Sequence, residues 1–214
     1  MMDAIVPGGV AIDLSSSTRN GLLTQCDRIE REVRALRTAY DEHAGLQDRF
    51  LGTGCVSPQL AVQLGLTGLA GRASGQAADL RCAHVWEPYD RFDVMMATHR
   101  NGDVAARVTV RFDEVFESLR LIRAICAGVP PGATRTELQV AAAASMGAGW
   151  VEGWRGEVLV ALEIGNDGRM VRCHCHDPSW QNWPVLEHAV MGNIVPDFPL
   201  INKSFNLSYS GHDL

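Results

Sequence analysis

Two stretches of this chain repeat apolar residues at intervals of three and four, and a chain with two such stripes must pack long helices against each other. In the first, Leu22, Leu23, Cys26, Ile29, Val33, Leu36 and Tyr40 form the stripe, while Asp27, Glu30, Arg31, Glu32, Arg34 and Arg37 fill the other faces. The spacing predicts a helix over 17–43, with Ser15 to Ser17 offering N-cap hydroxyls. In the second, Val108, Phe112, Val115, Phe116, Leu119, Ile122, Ile125 and Cys126 form the stripe. Asp103 can cap this helix, and Gly128 with Pro130-Pro131 ends it. No apolar run reaches the ~18 residues of a bilayer crossing, and no basic region followed by an apolar stretch opens the chain. The expectation is a chain neither secreted nor membrane-spanning.

Between these helices, residues 45–103 break into short pieces separated by Gly, Pro and Asp, with a short helix expected at Pro58 to Leu64. Arg72, Ser74, Asp79, Arg81, His84, Glu87, Asp90, Arg91 and Asp93 are dense enough there to form a buried hydrogen-bond and ion-pair network. Ile5 to Leu14 reads as an extended piece ending in a turn. A weaker third helix is expected from Thr134 or Thr136 through the alanine run at 141–144, broken by Gly147 and Gly149. The period then changes to two. Residues 157–164 and 169–176 flank Gly165-Asn166-Asp167-Gly168, a hairpin signal. Short helices are expected at Pro184 to Met191 and Phe198 to Leu207. The fold class is therefore mainly α, of the α+β type, with long packed helices and one small β-hairpin near residues 157–176. Residues 1–214 read as one domain.

The formal net charge of -6, with Arg supplying almost all the positive charge, argues against a general nucleic-acid binder. Six cysteines with no CxxC imply reduced thiols.

Three constellations could carry chemistry. Cys173-His174-Cys175-His176 offers soft-metal donors, but consecutive strand residues point to opposite faces. Only Cys173 with Cys175, or His174 with His176, can share a face, and no second pair completes a tetrahedron. Glu152-Gly153-Trp154-Arg155-Gly156-Glu157 places a guanidinium between glycines and two carboxylates at the start of a strand, either as a rigidly held electrostatic donor or as a local Arg-Glu pair. Gly71-Arg72-Ala73-Ser74-Gly75 through Arg81 has the glycine density of a phosphate loop without its pattern. No GxSxG elbow exists, so a serine hydrolase is unsupported.

Taken in order, these segments resemble the large subunit shared by nickel-iron hydrogenases and respiratory complex I, in particular the formate-hydrogenlyase-like and hydrogenase-4-like branch. The matching pieces are Pro7-Gly8-Gly9-Val10 with Asp13-Leu14; Arg49 to Gly54; Ala61 to Gly68; Arg72-Ala73-Ser74-Gly75 with Asp79-Leu80-Arg81; and Pro88-Tyr89 with Phe92-Asp93-Val94. They continue through Gly102-Asp103 with Arg107, Glu152 with Arg155-Gly156-Glu157, Asp167-Gly168, Asp177-Pro178-Ser179 with Asn182-Trp183, Ile194 to Asp197, and Ser204-Phe205-Asn206.

The resemblance implies a subunit of a membrane-associated oxidoreductase complex, of NADH:quinone oxidoreductase or formate-hydrogenlyase type, peripheral on the cytoplasmic face of the inner membrane. Its partners would be an iron-sulfur subunit and membrane subunits, with no nucleic acid and no span of its own; in isolation the chain is free to self-associate. In hydrogenases two CxxC pairs hold nickel and iron. The first lies upstream of the Pro7-Gly8-Gly9-Val10 segment, and the second should fall at Ser208 and Gly211, which supply no thiolate. No cofactor is expected in this chain, and quinone or an adjacent iron-sulfur cluster only in an assembled complex. Complex I's quinone-facing histidine also lies upstream. Arg155 matches the arginine that hydrogenases hold over the metal, although Trp154 replaces the small residue or proline usual before it. Arg155 is thus the candidate site residue, with Glu152, Glu157 and Asp79 as its expected partners. The leading expectation is a scaffold or quinone-proximal subunit, catalytically silent alone. The alternatives are a truncated paralogue that docks with another chain to complete its fold, and a metal sensor using Cys173 to His176.

Overall fold

The computed structural model describes residues 4–129, 132–137 and 143–213. The chain opens with a two-stranded antiparallel ribbon, β1 (Ile5–Val6) and β2 (Gly9–Val10), which bridges Arg135 through Gly9. The first stripe forms α1 (Ser16–Glu42), whose N-terminus is capped by the Ser15 hydroxyl accepting from the Thr18 N–H. His43 separates α1 from α2 (Ala44–Phe50), and its Nδ1 accepts from the Leu46 N–H to start the second helix. Three short helices follow: α3 (Pro58–Gln63), α4 (Gly68–Ala73) and α5 (Leu80–Ala83). The second stripe forms α6 (Val104–Gly128). One Asp103 oxygen caps α6 by accepting from the Ala106 N–H at 2.7 Å, and the other accepts from the Gly52 N–H at 2.9 Å, tying the loop after α2 to the helix start.

The expected hairpin is the inner part of a larger element. Strands β3 (Ser145–Gly153), β4 (Gly156–Ile164) and β5 (Met170–His176) form an antiparallel sheet in that order. Gly147 and Gly149 do not end a helix; they pair with Leu162 and Val160 as ladder residues of β3. The third helix expected from Thr134 or Thr136 does not form over residues 132–137, where Arg135 bridges the N-terminal ribbon, and residues 138–142 lie outside the described residues. The chain closes with α7 (Ser179–Ala189), α8 (Phe198–Phe205) and α9 (Tyr209–His212). Among the described residues no helix is long and apolar enough to cross a membrane.

The main core lies where α3, α4, α6, α7 and α8 meet, around Val56, Ala61, Leu66, Val104, Val185, Ile201 and Phe205. Helix α1 lies outside it. Of its stripe only Cys26 is fully buried, while Ile29 and Leu36 are exposed. Ion pairs and aromatic contacts join α1 to α6: Arg123 pairs with Asp27 and Glu30, Arg37 pairs with Asp113, Arg34 stacks 4.8 Å from the Phe116 ring centroid, and the Tyr40 ring packs 5.9 Å from that of Phe112.

The sheet approaches the helices most closely at Gly68. Gly68, with φ +63°, begins α4 directly beneath the turn between β3 and β4, and a Cβ there would lie 2.1 Å from the Arg155 carbonyl oxygen. Only glycine suits both the left-handed backbone and the close approach. Gly68→Ala is therefore expected to destabilise by at least about 1–2 kcal/mol from the backbone conformation alone, read as a lowered midpoint in thermal unfolding; an unchanged midpoint would contradict this packing.

Candidate functional site

The centre of the charged interior is Arg72 on α4, whose side chain is 1% exposed. Its Nε donates to Glu114 Oε1 of α6 at 2.8 Å, and Nη2 lies 2.5 Å from the same oxygen. Nη1 donates to Glu152 Oε1 of β3 at 2.8 Å and to the Ala78 carbonyl at 3.0 Å, with Asp79 Oδ2 at 3.8 Å. Glu152 uses its other oxygen to accept from the Leu80 N–H. Asp79 caps α5 and accepts from the Arg81 backbone N–H and from Arg81 Nε and Nη2. One guanidinium thus joins a short helix, a long helix, a strand and a loop.

Two guanidinium groups here face three carboxylates, and burial and pairing shift the carboxyls differently. Burial opposes ionisation of Asp79, but the Arg81 and Arg72 charges outweigh it and hold its carboxyl below the ordinary value. Burial dominates at Glu152 and pushes its carboxyl above the ordinary value despite the Arg72 bond. Arg81 is raised, chiefly by its hydrogen bonds to Asp79.

Arg155 stands apart from this cage. It occupies the turn between β3 and β4, donates through Nε to the Asn206 carbonyl at 2.5 Å, and stacks 4.2 Å from the centroid of the Trp154 ring. Asn206, in the left-handed conformation, ends α8. Asn182 of α7 fixes the backbone below, donating to the Arg155 carbonyl and accepting from the Thr67 N–H. The residues singled out from the sequence therefore divide. Glu152 and Asp79 gather around Arg72, and Arg155 is anchored to the end of α8. Glu157, the cross-strand neighbour of Glu152, is exposed. It lines a cavity of about 630 Å³ with Asp79, His84, Trp150, His174 and His176. Its carboxylate and the three imidazoles are polar groups on the wall of that cavity. The dense polar run divides too: Arg72, Ser74 and Asp79 are buried, whereas His84, Glu87, Asp90 and Asp93 are exposed.

A second buried guanidinium, Arg107 on α6, had no role in the sequence reading beyond its place in a motif. It donates to Ser204 Oγ, the Gly102 carbonyl and the Gly54 carbonyl at 2.7–2.9 Å, and lies 4.2 Å from the Phe205 centroid. Burial pushes its pKa down to about 9, with Asp103 opposing. Glu114 was missed altogether. The available signal was the spacing of Arg107, Arg111 and Glu114, a charged stripe that follows one helical face.

The residues at the expected second cysteine pair do not suit a thiolate-held metal. Ser208 Oγ accepts from the Gly211 N–H at 2.9 Å, and a Cβ on Gly211 would lie 2.5 Å from Asp177 Oδ2. The space a cysteine side chain needs is filled by Asp177. Among the described residues no group of three or more His, Cys, Asp or Glu is arranged to hold a metal ion.

The backbone matches one chain of the membrane-bound sulfane sulfur reductase, an archaeal respiratory membrane complex, with a TM-score of 0.88 at 23% identity over 98% of this chain and 59% of that one. That likeness defines the class of fold. Residues 1–147 match the family described as the 49 Kd subunit of respiratory-chain NADH dehydrogenase. Carbon monoxide-induced hydrogenase of Rhodospirillum rubrum is 32% identical over 204 residues, which are 95% of this chain and 56% of that protein. Formate hydrogenlyase subunit 5 of Escherichia coli (strain K12) is 28% identical, covering 96% of this chain and 36% of its own. An NADH-quinone oxidoreductase subunit of Paramagnetospirillum magneticum is 26% identical over 89% of this chain and 56% of its own. This chain belongs to the 49 Kd subunit family of respiratory-chain NADH dehydrogenase, and it spans 36% to 56% of the length of these three relatives. The resemblance read from the ordered motifs is borne out.

Two outcomes follow from the cage. Glu152→Gln keeps an acceptor for Arg72 and removes the surplus charge, so it is expected to cost less than about 1.5 kcal/mol in urea unfolding at pH 7; a larger loss would mean that the Glu152 charge is needed. Asp79 has a folded pKa below its ordinary 3.8. Its contribution is present above that value and is lost as pH falls through the folded one. Glu152 runs oppositely, its contribution present below its ordinary 4.5 and lost as pH rises through the folded value. Asp79→Asn should therefore lose stability less steeply than the parent below pH 3.8, measured by urea midpoints across the acid range.

Proposed function

We propose that this chain serves as a rigid scaffold within a membrane-associated oxidoreductase assembly of the hydrogenase and complex I kind, and that it holds no nickel-iron centre. The observation that carries this reading is the filled space at Gly211, with Asp177 in the position of a cysteine side chain and Ser208 bound into the same turn. Thiolates at these two positions are what a metal centre of that kind would require, and serine and glycine supply none. The cage around Arg72 supports the scaffold part, because it fixes the sheet bearing Arg155 to the helical core without using a removable ligand. Electron transfer, quinone and iron-sulfur clusters belong in this reading to neighbouring subunits, with NAD further away still. Arg155 contributes a fixed positive charge at the edge facing them. In the same reading the chain sits on the cytoplasmic face of the inner membrane.

A second reading, a module that completes its fold by docking, is favoured by α1. Its apolar Ile29 and Leu36 are exposed although they belong to the same stripe as buried Cys26. A covering chain would bury them.

The test is affinity purification of the tagged chain from detergent-solubilised membranes of its own organism, with metal analysis and identification of what accompanies it. Iron-sulfur and membrane subunits should co-purify, and nickel should be far below one atom per chain. Stoichiometric nickel bound to this chain would overturn the scaffold reading, and recovery of the chain alone as a monomer would count against both readings.

A further inference from the structure

Cys173 and Cys175 take no part in the cage, the Arg155 anchor or the α1 surface. They alternate with His174 and His176 along β5, so both thiols emerge on one face of the sheet and both imidazoles on the other. The imidazoles are engaged on their own side, edge-on to Trp180 at 5.8 and 5.3 Å, and His176 also bonds Gln181. On the thiol face the cross-strand neighbours are Leu162 and Val160, and beyond these stand Gly147 and Gly149, which have no side chains to overhang the surface. Strand β5 is an edge of the sheet, Cys173 is exposed and Cys175 partly so.

The two sulfurs lie 3.7 Å apart. Two thiolates bound to one tetrahedral cation at a metal-sulfur distance of about 2.3 Å are separated by about 3.8 Å. The strand therefore holds the pair at the edge length of such a tetrahedron before any cation arrives. We propose that Cys173 and Cys175 form an open two-thiolate site for a soft tetrahedral cation of the zinc class. The other coordination positions are left to water or to donors outside this chain, since no third protein ligand converges among the described residues. The binding step is an exchange without redox change: two thiols and one divalent cation give a dithiolate complex and two protons. Because binding releases the two thiol protons, it weakens as pH falls. The site is independent of the scaffold reading.

Cadmium chloride titrated into the reduced, chelator-free full chain provides the test, read as the ultraviolet thiolate-to-cadmium charge-transfer band. The band should saturate at one cation per chain and be displaced by zinc. It should be lost in Cys173→Ser and in Cys175→Ser, and retained in Cys55→Ser and Cys82→Ser, which remove the other exposed thiols. All four positions are at least partly exposed or peripheral to the core, and circular dichroism checks that each variant is folded. Persistence of the band in the Cys173→Ser, Cys175→Ser double variant would overturn the site, as would a parent protein with no band or saturation at one cation per two chains.

Discussion

A guanidinium taken out of water costs several kcal/mol unless its charge and its hydrogen-bond donors are met. Arg72 is buried, and its partners lie on three other parts of the chain. The penalty for separating any of them explains why a short helix with two glycines, a long helix and a strand 80 residues away in sequence share one interior. Apolar packing contributes beside it: Leu69, Ala73, Ala106 and Val110 hold α4 to α6. The cage supplies a link that is charged, and its third carboxylate, Glu152, keeps a raised proton affinity because burial outweighs its bond to Arg72.

Arg107 solves the same problem differently. It meets carbonyl and hydroxyl oxygens instead of a carboxylate, with Phe205 covering its face, and burial lowers its pKa although Asp103 opposes the shift. The two arginines face different parts of the molecule: Arg72 binds the sheet, Arg107 the loop after α2 and the end of α8. Arg155 lies where these regions meet, with α4 beneath its carbonyl, Asn182 beside it and the end of α8 accepting from its side chain. The position of its side chain is fixed by the Asn206 carbonyl and the Trp154 ring.

The two long helices were legible because a 3.6-residue period survives any tertiary context, and the observed Ser16–Glu42 and Val104–Gly128 fall within a residue or two of the expected spans. The hairpin was legible from Gly165 to Gly168 for a similar local reason. Strand β3 was not, because Gly147 and Gly149 have no β propensity and their place in the ladder comes from Leu162 and Val160 across the strand. Helix α4 was hidden by Gly68, whose left-handed backbone is required by the turn above it. The density of charge around Arg72 and Asp79 announced a buried network, but local spacing could not say that Glu152 belongs to Arg72 and not to its near neighbour Arg155. That choice is made by the sheet register and by Glu114, which arrives from a helix 42 residues further on.

Arg72 makes the sheet and the helices one cooperative unit, and native-state hydrogen exchange of Arg72→Met against the parent is the decisive measurement. Amides of α4, the middle of α6 and the β3–β4 ladder should lose protection together and by a common factor, while α1, held by its surface contacts, changes less. Loss of protection confined to α4 and its flanking turns, with β4 as protected as in the parent, would contradict it.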